Sequence, residues 1–389
     1  MERYMSIYIH HRITRTALCF LVFCLAASTA AFCKDSSTCT PNFPLKDGWL
    51  GADAAYSIPL PDGRDIWIFG DTLYGKHRVV TNGDPRMVRN SLGISTCKDG
   101  RWHLNYVIRH DSAGNPLTYF QEQKPDTWYW ALDGVYYNKN LWVTLLCLRN
   151  TPKDAGNPFG FETCGTDLAK VSDLDANPQK WKVKYFPLVP DGTHAYPSAT
   201  TVIEGDYLYI FALYEKATRP MLLTRIPLKG LNDPAKNLQY LATNGSWKPG
   251  FVPDDAEHVM ADGSTEMSVR YHPQLKEWLA VLMDPAFFSN KILLRTAPEL
   301  TGPWSTGRVI YNIPEMEKDK PGYDKDTFCY AAKEHPEFRE PGSILFTYVC
   351  NTTQVDKLPK ELNIYFPKVV RVPLLATDAP AIGENKNTR

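Results

Sequence analysis

The sequence predicts an all-β chain folded as a five-bladed β-propeller of four-stranded antiparallel blades. Three observations predict it. Hairpin patterns recur five times at a spacing of about sixty to seventy residues, the signature of a radially repeated unit. No segment sustains the 3.6-residue apolar period of an amphipathic helix. The 30 prolines and the abundant Tyr (21) and Trp (10) punctuate short alternating runs. Blades arranged around a central channel repeat such units without leaving long exposed edges.

The first 31 residues read as a secretory signal. His10, His11, Arg12 and Arg15 form a basic stretch, and Ala17 to Ala27 is an apolar run too short to span a bilayer comfortably. Ser28-Thr29-Ala30 offers small residues for cleavage after Ala30 or Ala31. A retained membrane anchor is the alternative. Residues 32–47 then form a lead-in, 48–375 a single propeller domain and 376–389 a polar tail. The mature chain is expected in the periplasm or secreted, with no other apolar stretch long enough for a membrane span. Lys plus Arg (43) balance Asp plus Glu (43), which gives no ground for a nucleic-acid partner.

The blades are justified in chain order. Ala54 to Leu60, a turn at Pro61-Asp62-Gly63-Arg64, and Asp65 to Phe69 form the first hairpin, since Gly63 is able to take a positive φ. Arg86 to Thr96 and Trp102 to Ile108 complete that blade. The second blade runs through Trp128–Tyr137, Leu141–Leu148, Gly160–Val171 and Trp181–Phe186. The third uses Tyr196–Ile203, Tyr207–Leu213 and Met221–Ile226. The fourth uses Glu266–Tyr271, Glu277–Met283, Lys291–Thr296 and a turn through Thr301-Gly302-Pro303-Trp304. The fifth uses Thr327–Lys333 and Ser343–Cys350. Asn363 to Leu374 is a last strand that joins the first or last blade.

Opposed residues of an antiparallel hairpin share a constant index sum, so Asp53 is expected to face Asp71 or Thr72. Directly opposed side chains lie about 5 Å apart and diagonal ones roughly 7 Å, the range in which paired carboxylates cleave glycosidic bonds. In a propeller the first strand of each blade lines the channel, and the N-terminal ends of these strands share one face. Glu266 then enters that face as a third acid and competes with Asp71 for the second catalytic role. Asn90, Trp128, Trp130, Asp133, His194, Tyr196 and His335 are the candidate substrate-binding residues, with Asp133 expected deeper in the channel. Seven cysteines outlast the signal, an odd number. Cys33 and Cys39 are placed to close a short loop, and Cys329 lies beside Cys350 or Asn351, as a disulfide or as two buried thiols. None has zinc-ligand spacing, so no metal site is assigned; no cofactor is expected, and a structural ion in the channel stays open as an alternative.

Trp49-x-Gly51-x-Asp53-x-x-Tyr56-Ser57-x-Pro59-Leu60, Ile66-Trp67-Ile68-Phe69-Gly70-Asp71-Thr72 and Met87-Val88-x-Asn90-Ser91 resemble a bacterial family of exported five-bladed propellers. That family was long a domain of unknown function and includes endo-D-arabinanases. The resemblance is strong over residues 48 to 96. It continues more weakly through Glu266-Met267-Ser268, Gly302-Pro303-Trp304 and Tyr330-Ala331-Ala332-Lys333-x-His335-Pro336-Glu337. More distantly the chain is similar to propeller furanosidases that cut L-arabinan and fructan. The resemblance implies a furanosidic polysaccharide or oligosaccharide as substrate and an exported glycoside hydrolase, an endo-D-arabinanase, as the activity. A carbohydrate-binding propeller without turnover is the competing expectation.

Overall fold

The computed structural model describes residues 39–374, apart from 80–84, 154–156, 158–159, 287 and 362. The signal segment, Cys33 and residues 376–389 lie outside the described residues. The fold is a five-bladed β-propeller, nearly all β.

Blade one is Trp49–Pro59, Arg64–Tyr74, Ser91–Lys98 and Arg101–Val107, with Arg86–Val88 added against the second strand. Blade two is Thr127–Tyr137, Asn140–Asn150, Phe161–Ser172 and Lys182–Val189. Blade three runs Ala195–Glu204, Tyr207–Tyr214, Met221–Pro227, Gln239–Leu241 and Trp247–Pro249. Blade four is Met267–His272, Glu277–Met283, Lys291–Ala297 and Arg308–Asn312. Blade five has three strands, Thr327–Glu334, Ser343–Thr352 and Lys368–Pro373, so the C-terminal strand joins the last blade.

Each seam between neighbouring blades holds its own apolar cluster. Tyr56, Ile68, Trp128 and Leu145 fill the seam between blades one and two, and Trp142, Leu168, Leu208 and Ile226 the next. Phe211, Met221, Met267 and Leu282 pack between three and four, and Val281, Ile292, Phe346 and Tyr348 between four and five. The ring closes between five and one through side chains. Phe338 stacks on Trp67 with centroids 5.8 Å apart, and Thr347 donates to the Ala55 carbonyl at 3.3 Å. The buried Phe43 of the lead-in sits edge-on to Trp67 and Phe69.

The register breaks within the inner strand of four blades. Bulges lie at Ala52 to Tyr56, Ala131 to Asp133, Pro197 to Thr200 and Tyr330 to Lys333, whereas Met267–His272 pairs without a break. An extra residue in one strand re-aims the side chains beyond it. Ala54 (φ 66°), Ala55 (φ 87°) and Ala331 (φ 62°) carry this bend in the left-handed region, where a side chain is strained.

Three disulfides join Cys39–Cys97, Cys147–Cys164 and Cys329–Cys350. Cys329 and Cys350 are directly opposed, as the hairpin register requires. The expected Cys33–Cys39 loop is corrected: Cys39 is used by Cys97, which pins the lead-in to blade one. Cys147 and Cys164 lie on adjacent strands of blade two, and only the bulge that sets Gly165 opposite Cys147 brings them together.

Candidate active site

The inner strands pack against one another around the channel, and their N-terminal ends open on one face. The first bulge sets the geometry there. Ala52 pairs with Thr72 and Ala54 with Phe69, so Asp53 falls beside Gly70 and Asp71. Gly70 is required: a β-carbon there would lie 2.1 Å from Asp53 Oδ1. The absent side chain lets the carboxylate lie against the backbone next to Asp71. The Asp71 backbone N–H and the Tyr330 hydroxyl (3.0 Å to Oδ2) both donate to it.

Asp71 is held by Arg89, whose guanidinium donates to Oδ2 at 3.2 Å, while its buried Oδ1 has no hydrogen-bond partner. That free oxygen sets Asp71 apart from a strand-capping Asx turn, in which the carboxylate bonds to nearby backbone. Arg89 itself lies over the Trp128 ring, 4.5 Å from its centroid. Glu266 accepts a hydrogen bond from the Tyr56 hydroxyl. Each acid keeps part of its surface open to solvent; the Asp71 side chain is 19 % exposed.

Recessed carboxyls this close cannot all ionise freely. Asp53 is pushed well above the usual carboxylate range, chiefly by burial and then by the negative charge of Asp71 and of Glu266. Burial raises Asp71 to about 6, with Arg89 opposing the rise. Burial also raises Glu266, opposed by the Tyr56 hydrogen bond and by the positive charges of Lys333 and Arg219. Such a set titrates as a unit, and Asp53 is the member whose carboxyl is raised by two acidic neighbours as well as by burial.

Beneath the acids lies a buried polar plug. The Lys333 ammonium, from blade five, donates to the carbonyls of Leu132 in blade two and Ala199 in blade three (3.0 Å to the latter). It lies over the Tyr56 ring of blade one at 4.0 Å, and 3.8 Å from Asp133. Burial lowers it to about 8. Asp133 is fully buried, paired with Arg270 at 3.2 Å and bonded by the Thr200 hydroxyl and the Thr201 N–H.

The structure therefore brings Asp53, Asp71 and Glu266 together and sorts the remaining candidates. Three are corrected. Asn90 is fully buried and bonds to backbone at Phe120 and Tyr129, so it organises a loop beneath the face. Asp133 is consumed by its cations. His335 is fully buried between Ser57 (2.6 Å) and Thr347 (2.8 Å) in the seam of blades five and one. None of these three offers an atom to a ligand at the open face. Trp128 is buried and Trp130 half-buried, both packed on Phe161. His194 and Tyr196 line a cleft on the rim. Sequence reasoning missed Tyr56, Arg89, Tyr330 and Lys333. Tyr56 and Arg89 stand inside the motif stretches, and Lys333 was visible as a lysine on an inner strand.

A family model described as "Domain of unknown function (DUF5005)" matches residues 41–374. No protein with a curated description matches. Among solved structures, a Bacteroides ovatus protein described provisionally as a hydrolase is 20 % identical, with a TM-score of 0.64 over 84 % of this chain and 86 % of that one. Weaker likenesses include an α-L-arabinofuranosidase of Podospora anserina solved with cellotriose (12 % identity, TM-score 0.43, covering 86 % and 94 %). A family 117 glycoside hydrolase of Zobellia galactanivorans is similar at the same level (13 % identity, TM-score 0.46, covering 87 % and 90 %). At these identities the likeness is one of fold.

Proposed function

We propose that this chain, which belongs to the DUF5005 family, is an exported glycoside hydrolase that cleaves a furanosidic glycan, an endo-D-arabinanase. The observation that carries the reading is the crowding of Asp53 between two acids, which leaves one carboxyl protonated beside one that ionises near neutrality. Glycoside hydrolysis needs that combination. The furanosidic substrate comes from the motif resemblance over residues 48 to 96. Export is supported by three disulfides, which persist in oxidising compartments.

In the proposed reaction Asp53 donates its proton to the leaving glycosidic oxygen. Asp71, anionic above about pH 6 and held by Arg89, attacks the anomeric carbon as that C–O bond breaks. Asp53, now a carboxylate, takes a proton from water, whose oxygen displaces Asp71 and restores both acids. Neighbouring positions of one hairpin favour this retaining course, because a retaining pair lies about 5–5.5 Å apart whereas an inverting pair leaves room for water. Glu266, tied to Tyr56, contributes the charge that keeps Asp53 protonated. Trp130, His194 and Tyr196 contact the glycan.

The test is reducing-end release from D-arabinan by the wild type, Asp53→Asn and Asp71→Asn. Each variant is expected to lose about 10²–10⁴-fold in kcat, and NMR of the first product is expected to show retained anomeric configuration. A wild type that binds the glycan without cutting it makes the protein a carbohydrate-binding propeller and sinks the enzyme reading.

A further inference from the structure

The same face carries a cleft outside the acid cluster, between blades two and three. It has a volume of about 590 Å³ and is walled by Arg149, Phe161, Glu162, Asp191, Tyr196 and Glu215, with His194 at its lip. Strand register fixes its face. Phe161 pairs with Asn150 and Thr127 with Arg149, which places Phe161 and Arg149 level with the N-terminal end of blade two's inner strand. Ala195 pairs with Tyr214, which places His194 and Glu215 at the matching end of blade three.

A run of side-chain contacts joins the cleft to the acids. Arg89 bridges Asp71 and the face of Trp128, while Phe161 packs edge-on to Trp128 and Trp130 with centroids 6.1 and 5.1 Å away. The cleft's charged groups bond to one another and leave an excess of acid. Arg149 donates to Glu162 at 2.6 Å and also to Asp191. Glu215 accepts from Thr163 at 2.9 Å and lies 3.6 Å from His194. With its one arginine committed to two carboxylates and a third acid present, the cleft repels an anion. Flat rings beside alternating donors and acceptors fit an uncharged polyhydroxylated ligand. The volume lies in the range of sites that take ligands larger than one sugar ring.

We propose that this cleft is a binding site for the neutral sugar units on one side of the cleaved bond, so that the glycan leaves the acids radially between blades two and three. The proposal rests on the hydrolase reading above. It adds a direction for the chain, a role for Arg149, Phe161, Glu162 and Asp191, and the exclusion of uronate-bearing glycans.

Calorimetric titration of the full-length Asp53→Asn protein with D-arabino-oligosaccharides of two to eight units tests it. Affinity is expected to rise with length. Adding His194→Ala or Phe161→Leu is expected to weaken the longest oligomers about tenfold, the scale of one lost ring or hydrogen-bond contact, and to leave the dimer unchanged. His194 is 70 % exposed, so its removal opens no cavity in the core. An equal loss at every length, or no loss at any, overturns the cleft assignment while wild-type cleavage of the polymer preserves the hydrolase reading. Uronate-bearing oligomers that bind as tightly as neutral ones overturn the neutral-ligand claim. If no arabino-oligosaccharide binds and the wild type cuts no arabinan, both readings fall together.

Discussion

In the proposed reaction Asp71 and the Arg89 cation set the pH at which the site works. Burial raises Asp71 to about 6 and Arg89 pulls it down, so the acid limb of the kcat/KM profile is expected near pH 6. Arg89→Met removes the opposing charge, and that limb is expected to move upward, as read from initial rates between pH 4 and 9. The alkaline limb belongs to Asp53, which fails once its proton is lost. The same shift costs stability. A carboxyl raised in the fold favours folding below its ordinary value, and that contribution is lost as pH rises through the folded value. Asp71→Asn is therefore expected to be more stable than the wild type above pH 6, by on the order of 1–3 kcal/mol, with no gain near pH 3. Urea midpoints at the two pH values check this. Gly70→Ala makes a separate case. Its β-carbon meets only the terminal carboxylate of Asp53, so activity is expected to drop at least tenfold with little change in thermal midpoint.

Inner strands do two kinds of work. Alternation and turn chemistry made their existence legible, and the five entry points to the face followed from the repeat. Register followed in part. A regular hairpin puts Asp53 against Asp71 or Thr72, and the double bulge with its positive-φ alanines keeps it beside Asp71 while laying it over Gly70 as well. Nothing in the residues Ala52 to Tyr56 signals a bulge, because alanine is neutral to pattern where glycine would mark one. The same blindness hid the plug. Asn90 and His335 are polar residues near the motif, yet their partners are backbone and seam groups that only three-dimensional packing supplies. The plug's strength is testable through Asp133→Ala, which leaves Arg270 and Lys333 without their shared buried anion. The expected loss is about 3–5 kcal/mol, measured by chemical denaturation at pH 7. The unbroken strand Met267–His272 carries Glu266 at its edge, so the third acid is the one that pattern reading located without help from a bulge.

The ring as a whole closes without strand exchange among the described residues, and the seam of blades five and one depends on rings and on the lead-in. The Cys39–Cys97 bond, 58 positions apart in the chain, together with Trp102 and Tyr106 bonding to the Asn42 and Pro44 carbonyls, holds Phe43 against Trp67 and Phe69. In the chain-entropy account a loop of that size is worth on the order of 4 kcal/mol. The double variant Cys39→Ser with Cys97→Ser is expected to lower the thermal midpoint by several degrees while leaving cleavage at low temperature intact, since the acids lie across the blade. The three bonds also share an arithmetic property. The first described cysteine joins the second, the third the fourth and the fifth the sixth, and every bond lies within one blade or its lead-in. A polypeptide delivered N-terminus first presents each partner before the next pair arrives. Among these six described cysteines the order of emergence matches the pairing, so these bonds form in sequence along the chain.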